Sequence, residues 1–593
     1  MSIAIHSNML ATRRFLTKGG DLKGTLPVVS FERNVDAQSI AITCVERLSN
    51  LKPTDLLADS LWKDNVCIAG TFRTFHSSNI IASTWVDMVS KQMAEHFCLI
   101  PHTAHTFELA GVPAWISAGF SFSMKGSPSR QCSGFLNAAP DDHGIWKIFS
   151  LTTILEAIDG FPNPDTPPST GPLPAKDGVF DCLVVGAGAC GLCLGARLQS
   201  VGLSYLVVDK HTTVGDVWRK RYDSTKLHLN STFSDFPYER LLDPNKYYPT
   251  GVDMANAHQA FAEQWRLNIQ NSTEVKSAKW HPDSKTWTIQ VIHSGNEDTI
   301  VAKHLVMATG SGISHPITPS LANRETFHGT VLHTSDWKNA HPFTGKRGIV
   351  IGSANSAFDI IEDMVLANLS SVTMIQRSRT RVINGKHFRQ LTDPLYNKDS
   401  NIELSDRLMM ATPYQHGRLM TMANVAAMQA GDQGRYKKLG QAGFRYEENT
   451  DFNGDYMERG GGHYLDVGQT RYIEDGRVGV RSGFEAVAFT EDGVRLASGE
   501  VVEGDVVVFA TGFRFGMKEG AMEIVGEEIG GRLDEFWGLD ENGDTRGLAK
   551  PIGHPNIWYL GGGTGHARFY SRFLALQILA DVMGSPFVPY SGT

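Results

Sequence analysis

The sequence contains no sustained run of lysine and arginine and no long apolar run. Its 55 basic and 63 acidic residues leave a net charge of −8. Nucleic acid or an anionic membrane surface would require clustered positive charge, so neither partner is indicated. A helix that spans a bilayer needs about 20 consecutive apolar residues, and no stretch approaches that length. With 41% apolar residues, the composition is that of a globular protein with several cores.

Cysteine is scarce, and the last two thirds of the chain contain none. All seven cysteines lie between Cys44 and Cys193, and their spacing indicates neither a disulfide framework nor a zinc site. We predict no bound metal. This usage is typical of a reducing compartment, so we expect a cytoplasmic protein.

The N-terminus resembles an organelle transit peptide only weakly. It carries Arg13, Arg14 and Lys18 and no acidic residue before Asp21. A flexible leader over residues 1–27 is the favoured interpretation.

A proline-rich stretch divides the remaining chain. Residues 161–175 include FPNPDTPPSTGPLP, which cannot pack a core and predicts an extended linker. Before it, residues 28–160 combine one helical apolar pattern with several strand-like segments, which predicts a small α+β unit. After it, apolar β runs alternate with helical stretches, as in an α/β fold with buried parallel strands.

The first glycine turn follows a predicted five-residue strand that ends at Val185. Gly186, Gly188 and Gly191 have the spacing G-x-G-x-x-G and precede a predicted helix. The first glycine permits a tight turn, the second lets the backbone approach a pyrophosphate, and the third lets the helix pack closely. Asp209 ends the next strand, 23 residues after Gly186, where a carboxylate can bind ribose hydroxyls. These features together predict a dinucleotide site.

A second strand–turn–helix unit begins at Gly352. Ala354 replaces the second glycine, so we expect looser or shifted phosphate binding there. The next strand ends with Arg377 and Arg379 and without an acid. Because a cation suits a 2′-phosphate, NADPH is favoured over NADH. Two nucleotide sites in one chain indicate FAD reduced by NADPH.

The stretch between these turns carries a distinctive spacing. Residues 327–337, FHGTVLHTSDW, have the pattern F-x-G-x-x-x-H-x-x-x-W. Together with GDVWRKRYDSTKLHL, ATGSGISHPITP and HARFYSRFLALQI, this pattern resembles the class B flavoprotein monooxygenases, over about 176–593. That group comprises flavin-containing, Baeyer–Villiger and plant auxin-forming enzymes.

The resemblance implies an activity and an architecture. Members reduce FAD with NADPH and insert one oxygen atom from O2 into a small organic substrate through a flavin C4a-(hydro)peroxide. It implies two Rossmann-like domains, one for FAD at 176–337 and 485–593 and one for NADPH at 338–484. Residues 28–160 resemble an NTF2-like α+β cone. In that cone, Trp62, Asp64, Arg73 and His76 could face a pocket, where Asp64 and His76 could act as acid and base. A role in docking or homodimer formation is favoured over that chemistry.

The resemblance also implies functional residues. Arg377 would hold an anionic peroxide, His333 and Trp337 would couple domain movement to the flavin, and the amide of Asn230 would contact NADP⁺ or flavin. The implied cofactor-binding residues are Gly186, Gly188, Gly191, Asp209, Trp218, Arg221, Gly352, Ser353, Asn355, Ser356, Arg377, Arg379, Thr511 and Gly512. We expect loops between 380 and 480 to shape the substrate pocket.

Several alternatives remain open. Trp337 favours Baeyer–Villiger chemistry, whereas the segment around His228 favours the heteroatom-hydroxylating or auxin-type enzymes. A disulfide-reductase-like enzyme would need Cys190 and Cys193, whose C-x-x-C spacing falls within the first glycine turn and its helix. Ala354 favours a non-catalytic flavoprotein.

Overall fold

The computed structural model describes residues 16–17, 20–32, 34–310, 315–448 and 451–592. Most of the predicted leader, and residues 311–314 of the ATGSGISHPITP segment, lie outside these ranges. Within them, no helix is both long and apolar enough to cross a membrane.

The unit before the linker is a seven-stranded sheet with two helices. A short antiparallel pair, β1 (Leu16–Thr17) and β2 (Gly20–Asp21), precedes it. Its elements are α1 (Ala37–Arg47), β3 (Leu56–Asn65), β4 (Phe72–His76), α2 (Ser78–Lys91), β5 (Ala94–Leu99), β6 (His105–Leu109), β7 (Val112–Met124), β8 (Arg130–Pro140) and β9 (Trp146–Ile158). The strand order is β4-β3-β9-β8-β7-β5, and β6 pairs with β7. Asp36 begins α1 because its carboxylate accepts the N–H groups of Gln38 and Ser39.

The second unit begins after the linker with a mixed sheet. Its elements are β10 (Val179–Val185), α3 (Ala189–Ser200), β11 (Tyr205–Val208), α4 (Asp216–Arg219), α5 (Ser231–Ser234), α6 (Gly251–Gln264), β12 (Ile269–Gln270), β13 (Thr273–His281), β14 (Thr286–His293) and β15 (Asn296–Met307). The strand order is β12-β11-β10-β15-β14-β13. The apolar β10 lies between two parallel neighbours. Its residues from Cys182 to Val185 are all buried, as expected for a central strand of a parallel sheet.

A five-stranded parallel sheet forms the third unit. Its order is β16 (Thr330–His333), β25 (Val506–Phe509), β17 (Arg347–Ile351), β18 (Ser371–Gln376) and β21 (Gly479–Ser482), with α7 (Asn355–Leu366) packed on it. An antiparallel meander of β22 (Ala486–Thr490), β23 (Gly493–Leu496) and β24 (Val501–Glu503) precedes β25. Both β16 and β25 fall within the range predicted for the FAD domain. The third unit therefore extends beyond 338–484, because β25 pairs with β17.

The segment 380–480, expected to be loops, contains six helices among its described residues, and the first five form one block. These are α8 (Gly385–Thr392), α9 (Ile402–Met410), α10 (Tyr414–Gly431), α11 (Gln433–Gln441) and α12 (Phe452–Arg459). They lie between the paired parallel strands β19 (Arg381–Asn384) and β20 (His463–Asp466), which α13 (Arg471–Glu474) follows. We call residues 385–459 the helical insertion. The expectation of loops was wrong because Asn384, Asn401 and Asp451 each cap a helix.

The chain then returns to the second unit. Helices α14 (Lys518–Val525) and α15 (Glu527–Gly530) are followed by β26 (Ile557–Tyr559), which pairs with β15. The buried helix α16 (Thr564–Val582) packs against α3.

Buried charges join the first unit to the rest. Glu156 of β9 accepts hydrogen bonds from Arg407 of the helical insertion at 2.6 Å and from Arg572 of α16 at 2.8 Å. In the linker, Asp165 lies 2.7 Å from Arg197 of α3. The proline-rich stretch is therefore packed against the second unit along part of its length.

Candidate functional site

The first glycine turn shows why two of its glycines are obligatory. Gly186 has φ +110°, and a Cβ there would lie 2.5 Å from the Ala308 carbonyl oxygen. A Cβ on Gly191 would lie 1.8 Å from the Gly186 oxygen. Gly188 has φ −80°, and a Cβ there would have no neighbour within 4 Å. Packing therefore requires the outer two glycines, whereas the space beside the middle one is open for a ligand.

A cavity of about 800 Å³ opens beside this turn. Gly186, Gly188 and Asp209 line it, with the ends of β10, β11 and β15. The Asp209 carboxylate accepts N–H groups from Ala187 at 2.6 Å and His211 at 2.8 Å, which fixes it at the edge of the turn. The cavity size, the open backbone at Gly188 and the N-terminus of α3 fit the adenosine and pyrophosphate of FAD.

The second glycine turn has the same geometry. Gly352 has φ +129°, and a Cβ there would lie 2.3 Å from the Ala510 oxygen. Ala354 begins α7 with φ −100° and ψ −171°, an extended conformation that any residue adopts. The alanine is therefore accommodated without backbone strain.

The other residues assigned to the second nucleotide divide into two groups. Arg377 and Arg379 are exposed just beyond β18, where a 2′-phosphate would lie. Arg379 also donates to the Tyr446 carbonyl at 3.0 Å, and several other polar groups assigned to this nucleotide bond within the protein. Ser353 pairs with Thr380 at 2.6 Å, and the Asn355 side-chain oxygen accepts the Leu465 N–H at 3.0 Å. Ser356 is a hydrogen-bond partner of Tyr222, and Thr511 donates to the Ile317 carbonyl.

His333 links two strands of the third unit. Its Nε2 lies 3.1 Å from the carbonyl oxygen of Gly512, which can only accept, so Nε2 carries the proton. Its Nδ1 accepts the Ser335 N–H at 3.1 Å. Burial lowers the pKa of His333 more than the Gly512 contact raises it, so the ring is neutral at pH 7. These contacts fasten β16 to the end of β25.

The rest of the F-x-G-x-x-x-H-x-x-x-W spacing is also structural. Gly329 must be glycine because a Cβ would lie 2.3 Å from the Asp505 oxygen. Phe327 stacks on Phe489 with ring centroids 5.4 Å apart. Trp337 donates its indole N–H to Asp363 of α7 at 2.9 Å. The spacing therefore ties β16 to the meander, to β25 and to α7.

The segment 215–229 bridges the two nucleotide units. The Arg221 guanidinium lies 4.8 Å from the centre of the Trp218 ring, and burial lowers its pKa. The Tyr222 hydroxyl donates to Asp359 of α7 at 3.0 Å. The imidazole of His228 contacts the Asn355 side chain at 3.1 Å.

The amide of Asn230, predicted to contact a cofactor, bonds within the protein. Its oxygen accepts the Phe233 N–H at 2.7 Å and begins α5, and its nitrogen donates to the Tyr396 carbonyl at 3.0 Å. In this structure Asn230 therefore supports the helical insertion.

The acid–base pair considered for the first unit is not assembled. Asp64 accepts the N–H groups of Cys67, Ile68 and Ala69 at 2.9 Å, and burial raises its pKa to about 6. His76 pairs with Leu61, three positions from Asp64, so the two side chains point to opposite faces of the sheet.

The other two residues considered for this pocket, Trp62 and Arg73, also make their contacts within the protein. Trp62 is buried against Phe75 and Trp85, with ring centroids 4.6 Å and 4.9 Å apart. Arg73 donates to the carbonyls of Tyr590 at 2.7 Å and Gly592 at 2.8 Å. Aromatic rings fill the interior face, and the C-terminal tail covers Arg73.

The two cysteines of the alternative disulfide chemistry are buried in α3. Burial raises the pKa of Cys193 to about 12 and that of Cys190 further. Because the thiolate is the reactive form, neither is suited to redox exchange.

Known proteins resemble this chain in sequence and in structure. The family described as pyridine nucleotide-disulphide oxidoreductase matches residues 183–413, a range that includes both glycine turns. A flavin-containing monooxygenase from Stenotrophomonas maltophilia is similar in structure, with TM-score 0.46 and 17% identity, over 68% of this chain and 99% of that one.

Curated plant proteins are similar in sequence. The probable indole-3-pyruvate monooxygenase YUCCA3 of Arabidopsis thaliana is 26% identical over 342 residues, covering 56% of this chain and 72% of its own. The probable indole-3-pyruvate monooxygenase YUCCA7 of the same plant is 25% identical over 410 residues, covering 68% and 87%. The family match and these relatives support the predicted enzyme class, an NADPH-dependent flavin oxidoreductase, and the predicted cofactors, FAD and NADPH.

Sequence reasoning missed one pair of polar residues on the strands that flank the helical insertion. Arg381 and His463 lie opposite each other on β19 and β20 and are both buried. No motif marks them, and only the pairing of two strands separated by the helical insertion brings them together.

Proposed function

We propose that the protein is an FAD- and NADPH-dependent monooxygenase of a small organic substrate. In the balanced reaction, NADPH, a proton, O2 and substrate give NADP⁺, water and a product that carries one added oxygen atom. The observation that carries the proposal is the pair of glycine turns with the open space at Gly188, bridged by the contacts of Tyr222 with Asp359 and of His228 with Asn355. The names of the plant relatives support the same activity.

The residues divide the work between binding and positioning. Gly186, Gly188 and Asp209 hold FAD, which supplies the oxygen-activating chemistry when bound. Gly352 shapes the NADPH turn, and the exposed pair Arg377 and Arg379 receives the 2′-phosphate. His333 and Trp337 act as positioning residues that keep the nicotinamide unit in register with the flavin unit.

The surroundings of Arg377 favour one subclass. Arg377 is exposed beside Arg379 at the end of β18, a position that suits a phosphate at the surface better than a reacting group shielded from water. This supports heteroatom- or auxin-type chemistry over the Baeyer–Villiger reaction.

The first unit is proposed to be an NTF2-like domain that serves docking. Its order of elements and its sheet with β3 parallel to β9 support this assignment. Lys63 and Thr152 contact the carbonyls of Met410 and Ala411, so the helical insertion covers this part of the sheet. Because the helical insertion covers this surface, we favour docking of the first unit onto the rest of the chain over homodimer formation through the same surface.

A non-catalytic flavoprotein is the second candidate. Ala354 was the feature in its favour, yet its extended backbone leaves the NADPH turn intact. The geometry therefore favours turnover.

Stopped-flow mixing tests the proposal. The FAD-loaded protein is reduced anaerobically with NADPH and then mixed with oxygenated buffer, while absorbance and hydrogen peroxide are followed. We expect rapid reduction by NADPH and a reoxidation through a distinct transient spectrum, slower than that of free flavin. If NADPH leaves the flavin oxidised, or if reoxidation directly releases one peroxide per flavin, the monooxygenase assignment is wrong.

A further inference from the structure

Arg381 and His463 form a buried polar pair that faces away from the core of the third unit. They are direct partners on the parallel strands β19 and β20, so their side chains project from the same face. The next residues, Val382 and Tyr464, project from the opposite face. Tyr464 stacks on Phe358 of α7 with centroids 3.6 Å apart, which places that second face against the core. Arg381 and His463 therefore face the helical insertion.

The hydrogen bonds of this pair are incomplete. Arg381 donates from Nε to Asp455 of α12 at 2.7 Å. Its Nη1 and the Nδ1 of His463 are buried and have no partner among the described residues. Leaving a buried polar atom unpaired is unfavourable, so two such atoms on paired strand positions indicate a missing partner.

The local charge selects the sign of that partner. Asp455 accepts a second guanidinium, that of Arg459, at 2.6 Å, so one carboxylate faces two cations. The nearby Asp451 is paired with Arg418 at 2.7 Å. Burial lowers the pKa of His463 to about 4, so this ring is neutral at pH 7 and adds a hydrogen-bonding nitrogen without charge. The excess of one positive charge favours an anion.

Aromatic rings extend the site on one side. Phe452 of α12 meets the His463 ring edge-on with centroids 4.4 Å apart, and Phe388 lies 5.9 Å from Phe452. These rings give the partner's remaining atoms an apolar wall.

The same helix reaches the flavin cavity. Tyr456, next to Asp455, lies 6.2 Å from the ring of His566 at the start of α16. Gly460, just beyond the helix, packs against Phe515, which lines the 800 Å³ cavity. Arg381 and His463 are thus linked, through α12 and Gly460, to the cavity that fits the adenosine and pyrophosphate of FAD.

We propose that Arg381, assisted by His463, binds the carboxylate of a small organic acid with an aromatic or apolar body. The unpaired Nη1 of Arg381 and the unpaired Nδ1 of His463 lie on paired strand positions, and two such nitrogens can bond to the two oxygens of a carboxylate. This inference rests on the proposed function and names the substrate class for the same site. A phosphate of NADPH is the competing anion, and the exposed Arg377 and Arg379 already suit the 2′-phosphate.

Binding of a matched pair of compounds tests the proposal. Phenylpyruvate and phenylacetone share an aromatic ketone body and differ by a carboxylate in place of a methyl group. Each is titrated into the oxidised, FAD-loaded enzyme with NADP⁺ present, and Kd is taken from calorimetry and the flavin difference spectrum. We expect the wild-type enzyme to prefer phenylpyruvate and Arg381→Met to raise its Kd roughly tenfold to a hundredfold, as for loss of a charged hydrogen-bonded pair. Phenylacetone should change by less than about twofold.

Two further variants keep the result interpretable. Arg381→Lys retains the cation but not the fork, so we expect an intermediate Kd. Arg477→Met removes an exposed arginine paired with Asp475 and serves as the control. Equal affinity of the wild-type enzyme for both compounds, or no detectable binding of either, would overturn the proposal.

The reduction rate separates this proposal from the proposed function. NADPH should reduce the flavin of Arg381→Met with the wild-type rate and NADPH dependence. A raised KM for NADPH in that variant would assign Arg381 to the cofactor and overturn the carboxylate site. Failure of NADPH to reduce the wild-type flavin would instead contradict the monooxygenase assignment.

Discussion

Adding one methyl group at two positions of the first glycine turn should have two different effects. In Gly191→Ala, the new Cβ would lie 1.8 Å from the Gly186 oxygen, far inside contact distance. That oxygen belongs to the turn itself, so either α3 or the turn must move. In Gly188→Ala, the new Cβ would have no protein atom within 4 Å, and φ is already −80°. Only a bound pyrophosphate would meet it.

The expected sizes follow from these distances. Forcing a methyl group into packed atoms costs about 1–3 kcal/mol, so Gly191→Ala should destabilise the protein even without FAD. Gly188→Ala should leave the flavin-free protein within about 0.5 kcal/mol of wild type, as for other substitutions without contacts. If the methyl group costs the bound pyrophosphate a similar 1–3 kcal/mol, the Kd for FAD should rise roughly fivefold to 150-fold.

Flavin content and unfolding temperature separate the two effects. Each variant is stripped of flavin, and its unfolding temperature is measured without and with added FAD. We expect Gly191→Ala to unfold at a lower temperature in both conditions, and Gly188→Ala to differ only in a smaller gain with FAD. Wild-type FAD affinity in Gly188→Ala would refute the placement of the pyrophosphate. A wild-type unfolding temperature of flavin-free Gly191→Ala would refute the packing argument.

Three further predictions concern contacts between segments that are distant in the sequence. Lys63 donates to the Met410 carbonyl at 3.1 Å. Lys63→Met should therefore lower the unfolding temperature and speed proteolysis of the turn between α9 and α10. Lys125 is exposed, so the control variant Lys125→Met should do neither. Burial opposes ionisation of Glu156, but Arg572 and Arg407 outweigh it and hold its pKa to about 2. The stabilising effect of ionised Glu156 should be lost as pH falls from about 4.5 to 2. Glu156→Gln should therefore make the unfolding temperature vary less with pH in that window. If the variant shows the same pH dependence as wild type, the ion pairs of Glu156 with Arg572 and Arg407 do not contribute. Trp337→Phe loses the hydrogen bond to Asp363 and should cost about 1 kcal/mol in denaturant titration, and no loss would argue against that bond.

Features that depend on neighbouring residues were predictable. The two glycine turns were placed correctly, because a positive φ at Gly186 and Gly352 leaves a local signature before a helix. The helical pattern and the strand-like segments predicted within residues 28–160 followed from apolar periodicity, and α1 and β7 to β9 lie in that range. The helical insertion was missed because four of its five helices have only eight or nine residues and its apolar faces are shared with distant units.

The sequence by itself therefore determined where the nucleotide turns are and which side chains carry charge or a ring. Only the tertiary structure decided what those side chains meet. His333 bonds to Gly512, 179 residues away, and so holds β16 against the end of β25. Arg381 meets His463 across the helical insertion and becomes a candidate anion site. The physical reason is that backbone conformation responds to adjacent residues, whereas burial, charge pairing and proton position depend on which distant segments pack together.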